Sequence, residues 1–180
     1  MAGTLYTLFA QGFAGALETL PDAAYLQWSG GLESRSLDDG SVLNEYVSRT
    51  GALEEPDVTL SVRFVPRFDC SPLIGIRIAG AAVADIGSAL GDGGRVTLAI
   101  DGNAAGLDLF VDTDESVTTL WMDAAAASRE RLRRRIDAGS RAELELPGGW
   151  TIGFSLSGSR RSTAAIETAC RTHEPLPYED

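Results

Sequence analysis

The chain has 180 residues and a mass of 19.0 kDa, is 44% hydrophobic and 23% charged, and has a mean hydropathy of -0.01, the balance of a globular domain that buries a core without needing a metal or a disulfide framework. Its 15 basic residues, all Arg, stand against 26 acidic ones; the formal charge of -11 and pI near 4.5 set the average field against nucleic acid and broad anionic lipid surfaces, while a local Arg patch can still hold a single anion. The longest apolar stretch, Leu73 to Ala84, is interrupted by Arg77, which excludes an apolar membrane-spanning helix.

Residues 1–16, MAGTLYTLFAQGFAGA, are uncharged and close on Ala14-Gly15-Ala16, the small-residue pattern at which secretory signals are cut. They read as a signal-peptide remnant without its basic n-region, the first basic residue being Arg35; the alternative is an apolar first helix, weakened by Gly3, Gly12 and Gly15. Residues 17–180 then form a single β-rich domain.

Short strands are expected around Ala24–Trp28 and Leu43–Val47. The clearest strand is Val58–Phe64, where Val58, Leu60, Val62 and Phe64 alternate with Thr59, Ser61 and Arg63. Ile74, Ile76 and Ile78 alternate with Gly75 and Arg77 in the same way. GDGG at 91–94 reads as a turn into a strand carrying Val96, Leu98 and Ile100, because it lacks the Lys and the helix of a phosphate loop. Asp101-Gly102-Asn103 then turns the chain into Leu107, Leu109 and Val111. Val117–Met122, Ala142–Leu146 and Trp150–Leu156 complete the set, the last two joined by Pro147-Gly148-Gly149. Trp150 is expected on the core face with Ile152, Phe154 and Leu156, and Trp121 in the core beside Leu120 and Met122.

Two helices come late. The first spans about Ala124–Ala138, with Asp123 as N-cap, Ala125, Leu132 and Ile136 on one stripe, and Gly139 as its stop. The second spans about Ser162–Thr172, with Ile166, Ala169, Cys170 and His173 on a shared face. Many strands followed by helix, two strands and helix predict a mainly β α+β fold, an antiparallel sandwich or sheet with two late helices. Cys70 and Cys170 are the only cysteines, and in an exported protein an even count reads as one disulfide, the alternative being two buried reduced thiols.

The residues single out no catalytic group. His173 is the only His, and Ser155 and Ser157 do not form a nucleophile elbow. Asp112, Asp114 and Glu115 suggest a calcium loop, but the EF-hand template fails at Val117 and Ala124, and a solvated turn accounts for them. No metal or cofactor is assigned. The strongest local charge feature is the Arg run at 129–135, of which Arg131, Arg134 and Arg135 are the candidate binding residues for an acidic partner or an anionic envelope component.

From the Arg-rich helix through DAGSRAELELPGGWTIGFSLSGSRRSTAAIETAC, the chain resembles the close of the invasion-associated locus B family and similar small secreted proteins of alphaproteobacteria, with Phe154, Leu156, Gly158, Ala164 and Ala165 at the matching positions. The family carries additional cysteines in its first half, whereas only Cys70 stands there in this chain. The resemblance implies export, a β-rich sandwich-like fold and an envelope role, and it supplies no active-site residue. The expected function is a periplasmic or secreted, non-catalytic interaction module; the alternative is an envelope enzyme or small-ligand carrier built on a carboxylate site.

Overall fold

The two-residue rhythm of the sequence becomes a single nine-stranded antiparallel sheet. The computed structural model describes residues 27–36, 40–79, 93–114, 117–122, 124–147 and 149–172. The strands are β1 (Trp28–Ser36), β2 (Val42–Gly51), β3 (Val58–Phe64), β4 (Pro72–Ala79), β5 (Gly93–Ile100), β6 (Asn103–Asp114), β7 (Val117–Met122), β8 (Arg141–Leu146) and β9 (Trp150–Ser155). Two helices, α1 (Ala126–Ala138) and α2 (Ser159–Thr172), accompany them. The spatial order is β1-β2-β3-β4-β7-β6-β5-β8-β9, so only the middle of the sheet departs from chain order.

One face of this sheet is the core. Val58, Leu60, Val62 and Phe64 are fully buried, and their register partners Ile74, Ile76 and Ile78 on β4 lie on the same face. Each such side chain contributes about 1.5–3 kcal/mol of burial energy. The same face continues through Leu120, Val96, Leu98, Leu144, Ile152 and Phe154. Both helices pack there: α2 lays Ile166 over Gly30, and its Ser162 hydroxyl is 2.6 Å from that of Ser48 on β2. Cys70, in the turn after β3, is bonded to Cys170 near the end of α2, with the sulfurs 2.02 Å apart.

The sheet is one layer that curls until its ends meet at a corner, rather than two stacked sheets. Ala52, just past β2, bridges Phe154 of β9; Leu53 N donates to Gly153 O at 2.8 Å; Trp28 Nε1 donates to Ser155 O at 2.9 Å.

Several boundaries differ from the sequence reading. β1 begins at Trp28, where the expected first strand ended, and runs through Ser29-Gly30-Gly31 to Ser36. Gly30 belongs in the strand because a Cβ there would stand 2.8 Å from Ile166 Cδ1. β2 extends through Ser48 and Thr50, polar residues that face inward and are buried. α1 starts at Ala126, with Ala125 at its N-cap. α2 starts at Ser159, whose buried hydroxyl donates to Ile136 O at 2.9 Å and ties the two helices together. Gly139 ends α1 in an extended conformation with φ -85°, so no left-handed cap is involved; its lack of a side chain is required by Ile100 Cγ2, 2.6 Å from where a Cβ would be.

Two tryptophans are also displaced from the expected core. Trp150 opens β9 and is 43% exposed, because the core contacts of that strand begin only at Ile152. Trp121 points to the opposite face from Leu120, as its neighbour in an alternating strand must. The segment 1–16, the expected strand residues 24–26, Gly91, Asp123, Glu115, Gly148 and His173 lie outside the described residues.

Candidate functional site

Alternation that sends apolar residues inward on β3 and β4 sends Arg63 and Arg77 outward, and on β2 the inward Ser48 and Thr50 leave Arg49 on the same outer face. Register brings the three together. Arg49 lies opposite Ser61, Arg77 lies opposite Thr59, and Ser61 is matched on its other side by Gly75. These side chains line a depression of about 270 Å³ formed by Arg49, Thr59, Ser61, Arg63 and Arg77. Its floor is rigid: Ser61 is buried, and its hydroxyl donates to Gly75 O at 3.2 Å.

An aromatic wall stands beside it. Trp121 lies across Gly75, whose missing side chain gives the indole its place, and Arg63 stacks on that ring with its guanidinium carbon 5.5 Å from the centroid. Phe110, the register partner of Trp121, is 59% exposed on the same face.

The three guanidinium groups are not equivalent. Glu33 accepts from Arg49 at 2.6 Å and from Arg63 at 3.0 Å, and Glu45 accepts from Arg63 as well. The Nε of Arg63 is buried without a hydrogen-bond partner. Arg77 is exposed and has no ion pair among the described residues. Neither Glu33 nor Glu45 lines the depression, and Asp112, exposed on β6, is separated from Arg77 by Thr119 of β7. Two of the three guanidinium groups are thus compensated by carboxylates, and Arg77 is the cation of the depression without an ion pair among the described residues.

The Arg run of α1 is dispersed. Arg131 is exposed and donates to Ser128 Oγ at 2.8 Å, and Arg134 is exposed with Glu130 at 3.4 Å. Arg135 instead donates to Asn103 O at 2.5 Å, and Arg129 donates to Pro72 O at 2.9 Å, so both fasten α1 to strands. Arg133 forms the centre of an ion cluster with Glu130 at 2.7 Å, Asp137 at 2.6 Å and Glu167 of α2 at 3.9 Å. Its hydrogen bond to Glu130 holds that carboxyl below the usual range and raises Arg133 in turn. Burial pushes Asp137 up, outweighing the hydrogen bond from Thr163 and the charge of Arg133.

Asp112 is exposed on β6, and the described residues contain no group of three His, Cys, Asp or Glu arranged to hold a metal ion. Ser155 is half-buried and accepts from Ser157 N at 3.3 Å.

Sequence reasoning places Arg63 and Arg77 on outward strand positions but misses their convergence with Arg49, which lies beyond the expected second strand. On β3 and β4 the signal was an Arg on the polar side of the strand, but on β2 Arg49 shares its side with Leu43 and Val47, and only the register shows that the three meet. Comparison of the chain with protein-family models, curated proteins and solved structures finds no match.

Proposed function

We propose that this chain is an exported, non-catalytic binding module of the cell envelope, and that the outer face of β2, β3, β4 and β7 is its contact surface. The observation that carries the reading is the convergence of Arg49, Arg63 and Arg77 around Ser61, walled by Trp121. Arg and Trp are the residue types that anchor binding surfaces, since each combines a large contact area with directed polarity. Glu33 and Glu45, the acids that reach the arginines of the depression, are bonded to them, which favours this reading over an enzyme or carrier built on a carboxylate site.

Export is supported by the Cys70–Cys170 bond, a linkage that persists in oxidising compartments, by the apolar amino-terminal segment, and by the carboxyl-terminal resemblance to the invasion-associated locus B family. The test is titration of the ¹⁵N-labelled full chain with a solubilised envelope fraction, beside fractionation of the native host. Amide shifts clustered at residues 45–49, 59–63, 73–77 and 119–121 support the surface assignment. Shifts confined to α1 around Arg131 and Arg134 would overturn it, and recovery of the chain in the cytoplasm with both cysteines reduced would overturn export.

A further inference from the structure

We infer that the depression between Arg49 and Arg77 is a phosphoryl-binding site, taking a phosphate or phosphate monoester dianion onto the outer face of the sheet. The inference rests on the binding-face reading and names its ligand chemistry. A guanidinium offers a planar fork of donors that matches two oxygens of a phosphoryl group, and charge-assisted bonds of this kind are about twice as strong as neutral ones. Arg77 has its whole fork open among the described residues, while Arg49 is exposed and engages Glu33 through one nitrogen, Nη1. Between them lies the half-buried Thr59, whose hydroxyl has no hydrogen bond among the described residues and is a third donor on the floor.

Arg63 completes the site without being a primary ligand. Its Nη1 is committed to Glu33 and Glu45 and its ring contact to Trp121, so its charge is compensated and it shapes the wall rather than binding the ligand. The geometry also selects against alternatives. A broad polyanion is repelled by the net charge of -11, but one dianionic head entering the recess meets the unpaired charge of Arg77 and the open side of the Arg49 fork. The recess, about 270 Å³, has room for a phosphoryl group. Free phosphate and a lipid- or glycan-borne phosphoryl group share this chemistry.

The test is titration of the full, oxidised chain with inorganic phosphate at constant ionic strength, followed by the Nε–Hε resonances of arginine and the amides of residues 59–61. Saturable shifts at Arg49 and Arg77 are expected, weakened about tenfold or more by Arg77→Gln and severalfold by Thr59→Val. Arg161→Gln, which removes the same charge from an exposed position on α2, leaves binding unchanged. Non-saturating shifts, or saturation that survives Arg77→Gln, would overturn the inference. A parallel arm with phosphatidylcholine vesicles containing phosphatidic acid separates the sources: Arg77-dependent cosedimentation supports a membrane-borne phosphoryl group, and phosphate saturation without cosedimentation supports a soluble one. If phosphate fails to saturate while the envelope fraction still shifts the outer-face amides, the phosphoryl inference falls and the binding-face reading stands. If phosphate saturates while the envelope fraction shifts amides elsewhere, the phosphoryl site stands and the outer face is not the envelope contact surface.

Discussion

Gly75 and Trp121 meet across the β4–β7 pair so closely that a Cβ on residue 75 would stand 2.9 Å from Cε3 and Cζ3 of the indole. The contact seats the ring under Arg63. Gly75→Ala therefore has to push the indole outward, with an expected cost of about 1–3 kcal/mol of the kind that overpacking produces. Urea unfolding checks the energy, and a shift of the tryptophan emission checks the cause; an unchanged midpoint with unchanged emission would show that the ring can yield freely.

Gly139 allows a sharper test of why a glycine follows α1. If it were a left-handed cap, Asn would substitute for it well. Its φ of -85° and the 2.6 Å approach to Ile100 Cγ2 predict instead that Gly139→Ala and Gly139→Asn both destabilise, by about 1–3 kcal/mol, with Asn no better than Ala. Thermal unfolding of the two variants side by side decides between the explanations.

The Cys70–Cys170 bond closes a loop with a sequence separation of 100 residues and holds α2 to the turn after β3. Replacing both cysteines by Ser is expected to cost about 2–5 kcal/mol, chiefly through greater freedom of the unfolded chain. Denaturant midpoints of the wild type with and without reductant should bracket the same difference, and equal midpoints would show that the bond contributes little.

The ion cluster between α1 and α2 sets two pH dependences of opposite sign. Glu130 is held below its ordinary pKa, so its contribution is present above the unfolded value of about 4.3 and fades as pH falls through the lower folded value. Glu130→Gln is expected to cost about 0.5 kcal/mol at neutral pH, as befits a partly exposed pair, and nothing in strong acid. Asp137 is pushed up by burial, so its ionisation term favours the fold fully below the unfolded value of about 3.9 and is lost as pH rises through the folded one. Stability of Asp137→Asn relative to wild type should accordingly rise across that window. Unfolding free energies of the three proteins between pH 3 and 7 test both signs.

The inward faces were legible because burial imposes a strict rhythm: Val58 to Phe64 and Ile74 to Ile78 announce themselves as strands with one apolar side. Ser48 and Thr50 did not, since inward polar residues break the pattern that reveals a strand, and what fixes them, Ser162 in the case of Ser48, comes from the far end of the chain. Ser159 was hidden for the same reason, its partner being the carbonyl of Ile136 on another helix. The outer arginine face was the least legible part. An outward Arg reads as ordinary solvation in any one strand, and the juxtaposition of Arg49 with Arg77 depends on pairings that no local pattern encodes. Trp150 erred in the other direction, its place in an apolar alternation outweighing its position at the strand's first residue.

The corner where Ala52 meets Phe154 sets the order in which the molecule can mature during synthesis. A nascent chain emerging amino end first can assemble the β1–β4 meander early, but the seam joining its two halves must wait for β9, and α2 and its bond to Cys70 come later still. Until then the β1–β4 half lacks both the strand that closes its corner and the covalent tie that holds α2 to it.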